Sequence, residues 1–148
     1  MHKIENSAEI NNAPETVIKY LWNVNNLPNY LPISKVKVLE KREGHIRLSH
    51  KLAAARMNMN LVCDFRKLEN DTKLEYQTIK GMSVHGSWLC QPTDKGTNLT
   101  YTLEYEPPGW IFGTILDKLV IAKEMNRISV EALQKLTDIL RGRETIQN

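Results

Sequence analysis

The sequence lacks the features that would place it in several functional classes. It has no run of five basic residues and no lysine or arginine stripe with interleaved aromatics, so its net charge of +3 does not indicate nucleic-acid binding. No stretch approaches the roughly 18 apolar residues that predict a membrane-spanning helix. The start, MHKIENSAEI, has no apolar core of a signal peptide. We therefore expect a cytoplasmic protein without an integral membrane segment.

Cysteine and histidine are too few and too scattered to predict a metal or redox site. Cys63 and Cys90 form no CxxC motif, and the 4 histidines show neither HxH nor HxxxH spacing. No Ser/His/Asp arrangement or glycine-rich phosphate loop is present. We therefore predict two reduced, buried thiols, no metal and no cofactor.

The longest uninterrupted pattern runs from Trp110 to Arg141. Apolar residues recur there at helical spacing, Pro107-Pro108-Gly109 excludes helix just before it, and Gly142 is typical of a helix C-cap. Such a helix would be roughly 45 Å long and needs a large apolar partner. Small or polar residues in its middle, such as Asn126 and Ser129, mean that it either packs tightly there or covers a hollow.

The rest of the chain mostly alternates with a period of two. Residues 3–11 predict a strand, and Pro14 starts a short helix that is followed by a turn-rich connector with one helical turn. Alternating segments then predict about six antiparallel strands between residues 36 and 106. About seven strands with one apolar face imply a curved sheet covered by the C-terminal helix. We predict an α+β fold and a single domain over residues 1–148.

Two segments carry a family resemblance. The first is IENSAEINNAPETVIKYLWNVNNLPNYLP, which combines a first strand, an Ala-Pro-Glu helix start and a Leu-Pro-x-Tyr-Leu-Pro segment. The second is GSWLCQPTDKGTNLTYTLEYEPPG, which ends in a tyrosine-rich strand. With the element order, they resemble the START-like (SRPBCC) superfamily, which includes polyketide cyclase/dehydrase-like and Bet v 1-like proteins. The resemblance implies a helix-grip fold, with two short helices after the first strand and an apolar or amphipathic small molecule between sheet and helix. No catalytic motif is shared across the superfamily, so none is carried over.

The alternation predicts which side chains face the interior. Apolar, aromatic and methionine side chains with a few polar groups suit a lipophilic ligand, and an ordinary core is the alternative at each position. The predicted ligand-binding residues are His50, Met57, Met59, Cys63, Phe65, Tyr76, Trp88 and Tyr101 from the sheet and Leu119, Met125, Asn126 and Ser129 from the helix.

His50 stands out because it falls on an otherwise apolar strand face. If buried, it needs a partner for each ring nitrogen, and as a general base it needs a reacting proton within hydrogen-bonding reach. His50 and Tyr101 are the candidate acid/base residues, and a satisfied core histidine is the alternative for His50. On the outward face, Asp64 and Arg66 are predicted to form a solvated pair.

Three functions are compatible with these observations. The first, favoured by the resemblance and the inner faces, is binding or transport of a hydrophobic small molecule (a lipid, quinone or polyketide-like compound). The second is a cyclase or dehydratase-type enzyme using the same cavity. The third is a protein-interaction module with a surface at Trp110-Ile111-Phe112. The expected partner is a hydrophobic small molecule and not nucleic acid, and the expected state is a monomer or weak homodimer.

Overall fold

A computed structural model describes residues 2–54, 56–68, 70–107 and 118–147, which form one antiparallel sheet and three helices. The strands are β1 (His2–Ile10), β2 (Ile33–Arg42), β3 (His45–Ala54), β4 (Met57–Leu68), β5 (Lys73–Lys80), β6 (Ser83–Thr93) and β7 (Gly96–Glu106). The helices are α1 (Pro14–Trp22), α2 (Leu27–Tyr30) and α3 (Lys118–Gln147), with a 3₁₀ turn at Val24–Asn26. The order β1-β7-β6-β5-β4-β3-β2 makes β1 and β2 the edges of the sheet.

The first helices form where the sequence provides their start signals. Pro14 occupies the first turn of α1, where its missing N–H costs nothing, and Glu15 lies at the positive end of the helix dipole. The Asn23 side chain accepts a hydrogen bond from the backbone N–H of Asn25 and so caps the 3₁₀ turn. The buried face of α1 comprises Val17, Ile18, Tyr20 and Leu21.

Side chains alternate along the strands, so the sheet has a buried concave face and a polar convex face. In β3, β6 and β7 nearly every second residue is buried, as a sheet with one covered face requires. One row in register across the concave face comprises Ile4, Leu103, Gly86, Tyr76, Phe65 and Ile46. One row across the convex face comprises Lys3, Glu104, His85, Gln77, Asp64, Arg47 and Glu40.

The long helix α3 lies against the sheet mainly along β1 and also contacts α2. Its buried residues recur at spacings of three and four, as helix packing requires. They are Ile121, Met125, Ile128, Ser129, Ala132, Leu133, Leu136 and Leu140. The predicted start at Trp110 lies outside the described residues. The predicted cap at Gly142 is wrong, because α3 continues to Gln147, and a glycine inside a helix costs only about 1 kcal/mol.

Asp64 on the convex face is buried, which corrects the prediction of a solvated pair with Arg66. Only 7% of Asp64 is exposed, because the side chains of neighbouring strands cover it. Its Oδ1 lies 2.8 Å from Nε of Arg47 and 3.0 Å from Nε2 of His45, whereas Arg66 is 3.7 Å from Oδ2. Hydrogen bonding from Arg47 is the main cause that lowers the pKa of Asp64 to about 2. Asp64 is therefore the anionic centre of a cationic cluster.

Candidate functional site

An apolar cavity lies between the concave face, α2 and α3. It measures about 40 Å³, which is room for a few water molecules at roughly 15 Å³ each. The sheet side of its lining comprises Ile33, His50, Leu52, Phe65, Tyr76, Val84, Trp88, Tyr101 and Leu103. The helical side comprises Leu27, Leu31, Met125 and Ile128. Among these described residues only His50, Trp88 and the two tyrosines carry nitrogen or oxygen in their side chains.

One wall of the cavity is aromatic. Trp88 and Tyr101 occupy opposite positions on β6 and β7, and their rings stack with centroids 3.7 Å apart. Tyr30 of α2 meets the Trp88 ring edge to face at 5.8 Å. Next to this wall Gly86 contributes no side chain, and a β carbon there would lie 3.5 Å from Leu103 and 3.7 Å from Tyr101. The side chains of Leu103 and Tyr101 therefore cover the concave face beside Gly86.

The polar part of the cavity is the His50–Tyr76 pair, which continues to Cys63 behind the lining. Nε2 of His50 lies 2.8 Å from the Tyr76 hydroxyl, which also interacts with the thiol of Cys63. Burial lowers the pKa of His50 to about 4, although the Lys51 backbone acts in the opposite direction. The imidazole is therefore neutral at pH 7. Nδ1 of His50 is buried without a partner of good hydrogen-bond geometry among the described residues.

The tyrosines and cysteines near the cavity are held in their protonated forms. Burial raises the pKa values of Tyr30, Tyr76 and Tyr101 above the ordinary value of 10.0. It raises the pKa of the thiols of Cys63 and Cys90 to about 12. These thiols are poor nucleophiles at neutral pH, and the tyrosine hydroxyls can serve as hydrogen-bond donors. The Tyr30 hydroxyl, like Nδ1 of His50, is buried without a described partner.

The structure brings together half of the residues predicted to bind a ligand. His50, Phe65, Tyr76, Trp88, Tyr101 and Met125 line the cavity. Met57, Met59 and Cys63 share the concave face but lie outside its described lining, and Met57 is only half-buried. Leu119 is 64% exposed and Asn126 is also exposed, so both are directed away from the cavity. The ligand contacts themselves stay a prediction.

The polar residues in the middle of α3 serve packing. The Asn6 side chain of β1 donates to the Ser129 hydroxyl at 3.0 Å and to the Asn126 side-chain oxygen at 3.2 Å. Ser129 is fully buried, and its small size lets helix and strand approach closely. Close packing along β1 therefore accounts for Asn126 and Ser129, whereas Met125 and Ile128 of the same helix face the cavity.

Several lining residues were not among the predicted ligand contacts. Leu27 and Leu31 come from the connector, whose turn-rich composition does not indicate that it folds over the sheet. Val84 and Leu103 could have been found, because they alternate in phase with Trp88 and Tyr101. The remaining ones are Ile33, Leu52 and Ile128.

Three further features bear on the metal, interaction-surface and membrane predictions. Among the described residues no group of three His, Cys, Asp or Glu side chains could hold a metal ion. The surface at Trp110-Ile111-Phe112 lies outside the described part of the chain. No helix within the described ranges is long and apolar enough to cross a membrane.

A curved antiparallel sheet that grips a long terminal helix, with an apolar cavity between them, defines a helix-grip protein of the START/Bet v 1-like superfamily. Residues 1–141 match the family described as polyketide cyclase/dehydrase and lipid transport, and the chain belongs to that family. This confirms the resemblance and the predicted fold. It also supports a fold that binds hydrophobic ligands. A comparison with curated proteins finds no match.

Solved structures with the same fold share little sequence with this chain. TTHA0849 from Thermus thermophilus is 21% identical, with a TM-score of 0.83 over 96% of this chain and 99% of that chain. The Zhui aromatase/cyclase from Streptomyces sp. R1128 is 16% identical, with a TM-score of 0.80 over 96% and 94%. A START superfamily protein from Mycobacterium smegmatis is 15% identical, with a TM-score of 0.68 over 100% of both chains. At such low sequence identity, the structural similarity shows only that the fold is shared.

Proposed function

We propose that the protein binds and carries a hydrophobic small molecule that bears a ring system with at least one oxygen. The observation that carries this proposal is the His50–Tyr76 pair within an otherwise apolar lining. A buried polar atom without a well-oriented partner costs free energy, and Nδ1 of His50 has no such partner among the described residues. A ligand hydroxyl or carbonyl group would supply the missing hydrogen bond. The name of one structural neighbour, an aromatase/cyclase, supports a ring-containing ligand.

Binding requires the lining to move outward. The cavity of about 40 Å³ is far smaller than the roughly 300–1,000 Å³ of typical ligand pockets. Met125 is suited to such movement because its unbranched side chain adopts several shapes at little cost. Leu31 is only half-buried at the end of α2, so it can shift without leaving a deep core. A ligand would thus occupy space now filled by residues of the helical side.

Native mass spectrometry of the purified protein, together with titration of defined probes, tests the proposal. The probes are 1,8-dihydroxyanthraquinone, menadione and palmitate, which separate ring systems from a flexible chain. We expect the ring compounds to bind more tightly, to quench tryptophan fluorescence and to raise the melting temperature, since a ligand that binds only the folded state stabilises it. Absence of any bound mass and of any thermal shift with all three probes would refute the proposal.

A pair of variants locates the binding site. Val84→Phe adds an aromatic ring at the cavity lining, whereas Val130→Phe makes the same change on the exposed side of α3, where Val130 is 45% exposed. We expect Val84→Phe to weaken probe binding and Val130→Phe to leave it unchanged. Circular dichroism verifies that both variants fold. Equal binding by the two variants would place the ligand elsewhere.

A second candidate function is a cyclisation or dehydration reaction in the same cavity, and the 2.8 Å contact between His50 and Tyr76 favours it. The neutral imidazole could accept a proton from a ligand carbon while the Tyr76 or Tyr101 hydroxyl donates one to a ligand oxygen. Incubation with a linear β-polyketone, followed by mass spectrometry for loss of water, tests this function. His50→Gln should abolish turnover, whereas it should only weaken probe binding, because the apolar lining remains. If the native protein forms no product, dehydration of a linear β-polyketone is excluded and the carrier function remains.

We also propose that residues 1–148 form one domain and that the protein is a monomer or weak homodimer in the cytoplasm. Light scattering after size-exclusion chromatography tests the oligomeric state. A stable tetramer or larger assembly would contradict the proposal.

A further inference from the structure

A second cleft, on the convex face, is lined by lysines. Lys35, Lys51 and Lys80 surround a space of about 540 Å³, together with Ser49 and Asn60. Ser49 and Lys51 alternate along β3 with buried residues of the concave face, so they point outward. No acidic side chain lines this lysine cleft among the described residues, and its three lysines form no ion pair there. Its positive charge is therefore uncompensated.

The local backbone concentrates this charge. The pairing of β2 with β3 shifts register between Ser34 and Lys37, and Lys35 within the shift has a φ of 53°. The bulge adds residues to β2 and places Lys37 opposite Ser49, on the convex face. Lys80 comes from the end of β5, where the pairing with β4 also shifts register. Three strands thus bring four lysines to one end of the sheet.

Large aliphatic side chains are exposed near these lysines. Ile79, which precedes Lys80, is 48% exposed, and Leu39 of the edge strand β2, two residues after Lys37, is also 48% exposed. Basic residues next to exposed aliphatic residues suit a bilayer surface, where phosphate groups attract the lysines and the interface accepts the apolar side chains. An acidic protein would match the charge but would leave no role for these aliphatic residues.

We propose that the lysine cleft docks the protein on an anionic phospholipid surface. The cleft lies on the convex face and the ligand cavity beneath the concave face, so docking leaves the cavity itself untouched. A membrane is also the natural reservoir of a hydrophobic ligand, and this part of the inference rests on the proposed function. The attraction itself depends only on the lysines and the exposed aliphatic residues.

Sedimentation with vesicles tests the docking surface. The full chain is mixed with vesicles of pure phosphatidylcholine, or with vesicles containing about 30% phosphatidylglycerol as the anionic lipid. We expect binding to the anionic vesicles only, and weaker binding as salt rises from about 0.05 to about 0.5 M, because salt screens the lysines. Equal binding to both compositions, or binding to heparin or polyglutamate without binding to anionic vesicles, would overturn the proposal.

Matched variants separate a local surface from overall charge. A triple variant should bind anionic vesicles roughly tenfold more weakly or worse, since each lysine near such a surface contributes attraction. This variant carries Lys35→Gln, Lys51→Gln and Lys80→Gln. The control replaces Lys19, Lys95 and Lys135, which are exposed elsewhere, with glutamine and changes the net charge equally. Equal losses in the two variants would overturn the proposal.

Failure of the docking proposal can be distinguished from failure of the proposed carrier function. Titration of the lysine variant with 1,8-dihydroxyanthraquinone reports on the inner cavity, and we expect unchanged affinity. If the native protein binds no probe but still sediments with anionic vesicles in a cleft-dependent way, the carrier function fails and docking stands. If it binds the probe but not anionic vesicles, the docking proposal fails alone.

Discussion

The rings of Trp88 and Tyr101 lie parallel, with 2° between their planes and 3.7 Å between their centroids. The two residues face each other across β6 and β7, so the sheet register itself creates the stack. The same Trp88 ring receives the edge of Tyr30 from α2. This one tryptophan therefore connects the sheet to the helical side of the cavity.

Replacing Trp88 should be among the most destabilising single changes in the protein. Trp88 is 2% exposed, and Trp88→Leu would lose both ring contacts and leave unfilled volume. We expect the free energy of unfolding to fall by about 3 kcal/mol, as for other large-to-small core changes. Urea denaturation followed by circular dichroism measures this loss. Trp22→Leu is the control, because Trp22 is only half-buried, and equal losses would contradict the role of the stack.

His50 should make stability depend on pH in the weakly acidic range. Its pKa is lowered from 6.5 to about 4 in the folded protein, so between these values the unfolded chain binds a proton that the folded chain does not. The contribution of neutral His50 to the free energy of unfolding is therefore fully present above about pH 6.5 and is lost as the pH falls towards 4. The total change is about 3 kcal/mol. Urea titrations of the native protein and of His50→Gln at several pH values measure it, and the variant should lack this dependence.

Protonation of Asp64 should also make the protein less stable as the pH falls, but at a lower pH than protonation of His50 does. Because its pKa is lowered from 3.8 to about 2, it stabilises the folded state above pH 3.8 and loses that effect as the pH falls through 2. Asp64→Asn should reduce the free energy of unfolding at pH 7 by about 2 kcal/mol, since it removes hydrogen bonds to charged partners. The control is Asp138→Asn at an exposed position of α3. Native and variant stabilities that differ equally at pH 7 and pH 2 would refute this explanation.

The hydrogen bond between Asn6 and Ser129 should hold β1 to α3. A double-mutant cycle with Asn6→Ala and Ser129→Ala should give a coupling energy of about 1 kcal/mol, the usual net value of an intramolecular hydrogen bond. Ser129→Leu should destabilise more strongly, because Ser129 is fully buried and the close approach leaves no room for a larger side chain. Thermal unfolding measures each variant. Additive effects of the two alanine changes would show that the contact contributes nothing.

Much of the fold could be predicted because alternation and helical spacing are local properties of the chain. The helix start at Pro14 and the inward phase of Trp88 and Tyr101 follow from their neighbours in sequence. The end of α3 could not be predicted, since a glycine such as Gly142 can cap a helix or lie inside one. Asp64 shows a related difficulty, because its burial depends on side chains from a neighbouring strand.

Local patterns in the chain were enough to establish the order of elements, the concave face and the side chains available to a cavity. Which of those side chains meet became known only from the folded arrangement. It places Leu27 and Leu31 over the sheet, brings His50 within hydrogen-bonding distance of Tyr76, and uses Ser129 for packing along β1. The difference arises because periodicity sets the face on which a residue lies, whereas contact across a curved sheet depends on register, curvature and the position of α3.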